Sequence, residues 1–273
     1  MSVRRLLRGD IDRELLESVA REVAARYGDG PGEMSVLDAD NWLSTPLVVD
    51  DRFFVKVISR QHSAVHALLT TGRNLGVYSS GSAGFFKHFE TPLAMAEHEF
   101  DATGRMRELG LNVPKPLSAF EHEGHGVLVM EYLPEFETLD AVPAGTVAAH
   151  AEELFTALAT MHDAGFAHGD LRAENVLRSR GELYFIDATD VDDGAIADAR
   201  GYDVACGLAV LAPIVGTRAA VDAATAVCDR ATLVSARRFL DFVNIRPDHQ
   251  FDAVGVKGAL EQTVDARASA SGR

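Results

Sequence analysis

Several features that define other protein classes are scarce or missing in this chain of 273 residues. Cys206 and Cys228 are its two cysteines, too few for a disulfide framework, and both stand in apolar contexts typical of buried thiols. The most apolar run, 204–215, is too short to span a bilayer and is interrupted by Gly207 and Pro213. The first residues lack the extended apolar stretch of a signal peptide. We therefore expect a cytoplasmic protein that does not enter a membrane.

Positive charge is scarce as well. The chain has 26 Lys and Arg against 41 Asp and Glu, a net charge of −15, and only four of the cations are lysines. Because nucleic-acid binding depends on clusters of cations, we expect no direct contact with nucleic acid. An acidic surface poor in lysine resembles proteins of halophilic archaea, in which high salt screens the self-repulsion. It is also compatible with a soluble enzyme of a mesophile.

The segment 168–175 is the most informative part of what is present. It reads His-Gly-Asp-Leu-Arg-Ala-Glu-Asn, and Asp187 follows a short apolar strand. Asp170 is suited to accept a hydrogen bond from an attacking hydroxyl, because a carboxylate is ionised at neutral pH. Asn175 and Asp187 offer the oxygen ligands that Mg²⁺ prefers, and a hairpin turning at 179–181 would bring the two together. This pattern predicts phosphoryl transfer.

The same segment resembles the catalytic loop of the protein-kinase-like superfamily, H-R-D-x-x-x-x-N followed by a D-F-G aspartate. The H-G-D-L form is similar to KEOPS-type kinases, RIO-type kinases and aminoglycoside phosphotransferases. The resemblance implies an α+β bilobal fold, with an antiparallel sheet and one key helix in the small lobe and a mainly helical large lobe. It also implies ATP and Mg²⁺ as cofactors, Asp170 as catalytic base, Asn175 and Asp187 as metal ligands, and Arg172 as a counter-charge to the transferred phosphoryl group.

A second set of residues is assigned to adenine by the same resemblance. The apolar stretch 126–133 looks like the last strand of the small lobe and the hinge that follows it. Met130 would be the gatekeeper, and Glu131 and Leu133 would present backbone groups to the base. Leu177, just beyond the catalytic loop, is assigned to the nucleotide as well.

Lys56, inside the apolar strand 52–58, is the candidate lysine that contacts the donor phosphates. A strand lysine that discourages edge pairing is the alternative reading, and Lys87 is a rival for the phosphate role. The resemblance pairs this lysine with a glutamate on the next helix, predicted over 93–110. We favour Glu99 over Glu97, although either could be a solvated helix charge.

Two departures from the family pattern are visible near the expected nucleotide. A hairpin turn at 41–46 takes the place of a Gly-rich loop, as in aminoglycoside-phosphotransferase-like kinases, and there Ser44 and Thr45 could offer amides and hydroxyls to phosphate. Phe54 stands where the family has a small residue above adenine, and 187–189 reads Asp-Ala-Thr instead of D-F-G. These departures leave a non-catalytic pseudokinase or an ATPase scaffold as alternatives.

In the large lobe, 151–165 and 219–242 have helical periodicity, and Asp203 resembles the aspartate that braces the catalytic-loop backbone. The link from Asp187 to Asp203 is too short for a peptide-docking activation segment. A protein Ser/Thr hydroxyl is the favoured acceptor, with a small-molecule alcohol as the alternative. The KEOPS resemblance also suggests a larger assembly.

The expected domain order is an N-terminal helical extension, a small lobe and a large lobe. Their predicted bounds are 1–35 for the extension, 36–131 for the small lobe and 132–273 for the large lobe. Within the small lobe, 59–91 is expected to be an insertion whose 64–69 portion is helical.

Overall fold

The chain forms two compact units that combine antiparallel sheets with helices. This computed structural model describes residues 11–28, 30–37, 44–62, 89, 91–189, 196–246 and 249–271. The described residues of the first unit lie within Met1–Gly72, His88–Glu108 and Val113–Pro134, and those of the second within Leu109–Asn112 and Glu135–Arg273. The predicted α+β class with two lobes is confirmed. The helix predicted over 64–69 and the rival Lys87 lie outside the described residues.

The first unit is built on a five-stranded antiparallel sheet of order β1-β2-β3-β5-β4. Its strands are β1 (Met34–Val36), β2 (Thr45–Val49), β3 (Phe53–Ile58), β4 (Pro116–His122) and β5 (His125–Glu131). Its helices are α1 (Arg13–Tyr27) and α2 (Pro92–Glu108). The helix predicted at 93–110 is confirmed within one or two residues at each end.

Helix α1 belongs to the core of the first unit. Its buried residues include Leu16, Val19, Ala20 and Val23, whose spacing places them on one helical face. That face shares a hydrophobic cluster with β2, β3 and β5. Asp12 caps the helix by accepting a hydrogen bond from the Glu14 backbone N–H at 3.2 Å. The amphipathic pattern of the N-terminal extension therefore reflects packing against the sheet.

The two faces of β3 explain how a lysine comes to lie inside this unit. Val55 and Val57 belong to the cluster that contains α1, whereas Phe54 and Ile58 belong to the cluster that contains α2. Because successive strand residues alternate between faces, Lys56 shares the α2 side. Close packing of α2 on the sheet requires Gly126, where an added Cβ would lie 2.1 Å from the Pro92 carbonyl oxygen.

The second unit is mainly helical. Its helices are α3 (Ala144–Asp163), α4 (Ile196–Val215), α5 (Thr217–Val227), α6 (Arg230–Asn244) and α7 (Ala253–Ser271). A small sheet contains β6 (Glu137–Thr138), β7 (Val176–Ser179) and β8 (Glu182–Phe185), and a 3₁₀ helix covers Ala173–Asn175. Among the described residues, none of the helices combines the length and apolarity that crossing a membrane requires.

Two helices occupy the segment 219–242, where the sequence pattern indicated a continuous helical stretch. The break lies at Cys228 and Asp229, and the Asp229 carboxylate caps α6 by accepting a hydrogen bond from the Thr232 backbone N–H at 2.7 Å. Hydrogen bonds from the backbone and side chain of Thr232 lower the pKa of Asp229. Helix α4 is almost entirely buried, and desolvation raises the pKa of its Cys206 thiol to about 12. The α6 N-terminus is thus specified by a cap that periodicity does not reveal.

Candidate active site

The first unit contains a buried ion pair between β3 and α2. Lys56 Nζ lies 2.5 Å from Glu99 Oε1, and the two side chains are 4% and 18% exposed. Glu97, the alternative partner, is exposed. A buried ammonium group needs a nearby anion, and Glu99 supplies it. The geometry therefore suits the phosphate-anchoring pair and argues against Lys56 as a solvated edge-strand residue.

The hairpin between β1 and β2 ends next to this pair. In the β2–β3 register, Pro46 lies opposite Lys56 and Thr45 lies opposite Val57. Ser44, one residue before β2, is buried, and its hydroxyl has no hydrogen-bond partner within the described part of the chain. A buried hydroxyl without a partner is costly, so a ligand that accepts its hydrogen bond would be stabilised there. Ser44 thus fits the phosphate role predicted for it.

The hinge residues lie at the end of β5 and just beyond it. Met130 is buried and lies opposite Phe54, and both belong to the cluster formed with α2. The backbone N–H of Glu131 donates to the Lys115 carbonyl oxygen at 2.9 Å. A contact of Glu131 with a base would therefore have to use its carbonyl group. Leu133 is half-buried two residues further on.

In the second unit, Asp203 of α4 holds the backbone of the segment 168–175, called the catalytic loop below. Its carboxylate accepts hydrogen bonds from the backbone N–H groups of His168 at 2.7 Å and Gly169 at 2.9 Å, and His162 Nε2 lies 3.1 Å away. Gly169 has φ of +76°, a left-handed conformation that a side chain would disfavour. Asp203 is fully buried, so the loop is anchored from inside the unit.

Asn175 connects the other two polar groups of the motif. Its side-chain Nδ2 donates to the Asp170 backbone carbonyl at 2.8 Å, and its backbone carbonyl accepts from the Ile186 backbone N–H at 3.0 Å. With the amide nitrogen engaged, the amide oxygen is the atom suited to a hard cation. Asp187 follows Ile186 with φ of +60°, an uncommon conformation for a residue with a side chain. Such outliers cluster at functional sites, which supports the proposed metal-binding role of Asp187.

The β7–β8 hairpin brings these groups together. Val176 pairs with Phe185 and Ser179 with Glu182, and the two turn residues, Arg180 and Gly181, both have positive φ. This geometry is typical of a two-residue turn and confirms the predicted hairpin. Leu177 is buried on β7 within this sheet.

Two arginines contact the carboxylate of Asp170. Arg246 Nη2 donates to Oδ1 at 2.8 Å, and Arg172 Nε lies 3.4 Å from Oδ2. Arg172 also pairs with Glu174. In this arrangement the predicted counter-charge to phosphate, Arg172, is shared between two carboxylates. Nothing in the sequence motif indicated Arg246, which lies beyond α6 and carries no spacing signal.

His168 is fully buried in the catalytic loop, and this burial lowers its pKa. Opposing influences from Asp203, Asp170, Asp187 and the Ile186 carbonyl are smaller than the desolvation. The imidazole is therefore neutral near pH 7, and its Nδ1 accepts a hydrogen bond from the Asp170 backbone N–H at 3.4 Å. The Thr189 backbone N–H donates to the His168 carbonyl at 2.8 Å, and this hydrogen bond joins the loop to the segment after Asp187.

The donor set of the second unit contains two candidate cation ligands, Asn175 and Asp187. Among the described residues, no group of three or more His, Cys, Asp or Glu side chains is arranged to hold a metal ion. An ion held by one amide oxygen and one carboxylate needs further ligands, and nucleotide phosphates with water commonly supply them for Mg²⁺. The residues present therefore fit a magnesium ion that arrives with a nucleotide.

Comparison with known proteins points to one superfamily. The sequence model of the RIO domain matches residues 86–193. A curated relative, KEOPS complex subunit Bud32 of Pyrococcus abyssi, is 31% identical over 104 residues, which are 37% of this chain and 46% of the relative. The chain thus spans about half of that relative's length.

Two solved structures align with a large share of the chain. The PknI kinase domain of Mycobacterium tuberculosis is 13% identical, covers 84% of this chain and 94% of its own, and has a TM-score of 0.40. The PAN3 pseudokinase of Drosophila melanogaster is 14% identical, covers 87% and 66%, and has a TM-score of 0.36. The RIO match contains the catalytic loop and Asp187. In its motif, its RIO match and its relative, this chain is similar to protein-kinase-like proteins of the KEOPS and RIO type.

Proposed function

We propose that this protein is an ATP- and magnesium-dependent phosphotransferase that transfers the γ-phosphoryl group to a hydroxyl. One observation carries the proposal. Asn175 is hydrogen-bonded on one side to the Asp170 carbonyl and on the other to the Ile186 N–H, next to Asp187. The hydrogen bonds of Asn175 therefore link the residue of the candidate base to the chain neighbour of Asp187, and phosphoryl transfer requires a base and metal ligands close together.

The roles of the residues follow from their chemistry. Asp170 would accept the proton of the attacking hydroxyl and orient it. Asn175 and Asp187 would hold Mg²⁺, which neutralises charge on the phosphates when bound. Lys56, held by Glu99, would contact the donor phosphates.

The remaining candidate contacts are with the phosphates and the base. Ser44 and Thr45 would offer amide or hydroxyl donors to phosphate, and Arg172 would counter charge on the transferred group. Met130, the Glu131 carbonyl, Leu133 and Leu177 would contact adenine.

We infer that the acceptor is a Ser or Thr hydroxyl presented by a folded protein. Helix α4 begins at Ile196, so only eight residues separate it from Asp187. A link of this length leaves little chain for docking an extended peptide. Hydrolysis of ATP within a larger assembly is the second candidate, favoured by the likeness to a subunit of the KEOPS complex.

The test uses ATP labelled on its γ-phosphate, Mg²⁺, the purified chain and separate pools of folded proteins and small alcohols. Label on Ser or Thr of a protein supports the leading proposal, label on a small alcohol moves the acceptor class, and released phosphate alone supports the ATPase. A wild-type chain that produces none of these overturns the proposal. In parallel, Asp187→Ala should abolish the magnesium-dependent part of nucleotide binding, whereas Asp222→Ala, at an exposed carboxylate of α5, should not.

We further propose that the protein works in high salt, because its net charge is −15. Salt screens repulsion between exposed like charges, so the compact state should be stabilised as salt rises. The unfolding temperature and the rate of phosphoryl transfer should both increase from about 0.1 M to above about 1 M KCl. A decline of both would contradict adaptation to salt.

A further inference from the structure

A buried arginine from the C-terminal helices reaches the candidate catalytic base. Arg246 stands two residues beyond α6, and its Nη2 donates to Asp170 Oδ1 at 2.8 Å. The two side chains are only 7% and 6% exposed. Taking both charges out of water is costly, and removal of either partner would leave the other buried without its counter-ion.

The same guanidinium group also contacts helix α4. Arg246 Nη1 donates to the hydroxyl of Tyr202, a fully buried residue. The next residue, Asp203, binds the backbone N–H groups of His168 and Gly169. Adjacent residues of one helix therefore hold the catalytic loop in two ways. The Asp203 carboxylate binds the main chain of the loop directly, and Tyr202 acts through Arg246 on the side chain of Asp170.

We propose that Arg246 is a positioning residue that fixes the carboxylate of Asp170 for the reaction; this rests on the proposed phosphoryl transfer. A guanidinium group presents several donors in a rigid plane, so bonds to Tyr202 and Asp170 together fix where Oδ1 lies. A carboxylate has about four acceptor sites, so the bond from Arg246 does not by itself block a hydrogen bond from a substrate hydroxyl. The segment that follows α6 thereby contributes to the geometry of the base.

The consequence is a defect in turnover without a defect in nucleotide binding. Arg246→Gln keeps a polar side chain but loses the charge and the planar fork. A small misplacement of a catalytic group costs up to about a hundredfold in rate, so kcat should fall by about tenfold to a hundredfold. The KM for ATP and the Kd measured by titration should stay within about twofold, since binding that does not involve Asp170 is retained.

The matched control is Arg237→Gln on α6. Arg237 pairs with Glu261, and both side chains are about half exposed, so kcat should be unchanged. Rates are expressed per folded molecule, with the folded fraction taken from a denaturation curve. A merely structural role of Arg246 would lower that fraction but spare the rate per folded molecule.

Two further comparisons test whether Arg246 acts through Asp170. In an Asp170→Ala background, Arg246→Gln should cause no additional loss of rate, because the group that it positions is absent. Independently of activity, Arg246→Gln should lower the unfolding temperature more in wild type than in an Asp170→Asn background. Tyr202→Phe, a milder change, should lower kcat severalfold and serves if Arg246→Gln does not fold.

The outcomes separate this inference from the proposed function. An inactive wild type overturns both. The role of Arg246 alone is overturned if wild type is active, Asp170→Ala is inactive and Arg246→Gln keeps full activity. If Arg246→Gln does not fold, full activity in a folded Tyr202→Phe has the same meaning. Faster turnover in Arg246→Gln would identify the pair as an inhibitory contact and would also overturn positioning.

Discussion

Each of the two units buries an ion pair between oppositely charged side chains at a candidate functional position, Lys56–Glu99 in the first and Asp170–Arg246 in the second, and the pairs differ in how the chain builds them. Lys56 and Glu99 lie on a strand and a helix, and the phases of these elements set their positions. Asp170 lies in a loop, and Arg246 comes from beyond the end of α6. The pair on regular elements could be assigned from the family resemblance, whereas the pair between irregular segments depends on the tertiary fold.

Removal of Asp170 is the most severe test of the Asp170–Arg246 pair. Asp170→Ala should lower kcat by about a hundredfold or more, the loss typical of a general base. Nucleotide affinity should stay nearly intact, because the predicted metal and phosphate contacts are made by other residues. Single-turnover kinetics and a binding titration measure the two quantities separately.

Asp170→Asn is the control that separates the loss of charge in Asp170→Ala from the loss of side-chain volume. It keeps the volume and one acceptor oxygen but removes the charge that Arg246 and the proton transfer both require. Its rate should fall close to that of Asp170→Ala. An unchanged rate in either variant would remove Asp170 from the mechanism.

The Lys56–Glu99 pair can be tested by its effect on stability rather than on rate. Glu99→Gln leaves the Lys56 ammonium group buried without its counter-ion, and should lower the free energy of unfolding by about 2 kcal/mol. This is less than for a fully buried pair, because Glu99 keeps partial contact with water. Urea denaturation measures the change.

The double variant Lys56→Met with Glu99→Gln sharpens this test. Removing both charges removes the desolvation cost as well, so the double variant should be more stable than Glu99→Gln alone. If the losses in the free energy of unfolding of the two single variants instead add up in the double variant, Glu99 does not stabilise the buried Lys56.

Much of the fold could be predicted because it rests on local patterns. The apolar run 52–58 indicated a strand with an embedded lysine, and β3 covers Phe53–Ile58 with Lys56 on the α2 side. The hairpin between Asn175 and Asp187 predicted that these two residues lie side by side, and the hydrogen bond from the Ile186 backbone N–H to the Asn175 backbone carbonyl supports this prediction. In each case one short segment contains all the information that is needed.

Other features could not be predicted, because they depend on contacts between distant segments. Arg246 is 76 residues from Asp170, and no periodicity links them. The engagement of the Glu131 N–H by Lys115 depends on how β4 approaches β5, and the sharing of Arg172 depends on the conformation of the loop. The break between α5 and α6 is set by the Asp229 cap, which competes with a helical pattern on both sides.

A smaller effect is expected from pH, in the second unit. Burial lowers the pKa of His168 below its usual 6.5, so the unfolded chain binds this proton more readily than the folded chain. The stability associated with neutral His168 is complete above about pH 6.5 and declines as the pH falls toward the lowered folded value. The loss is at most about 1.4 kcal/mol per pH unit.

Comparison with His168→Gln isolates this contribution, because the other histidines titrate in both proteins. The difference in unfolding temperature between wild type and His168→Gln should be largest near about pH 7.5, and it should become smaller toward about pH 5. A constant difference would mean that His168 binds its proton equally well in the folded and unfolded chain, against the desolvation that its burial imposes.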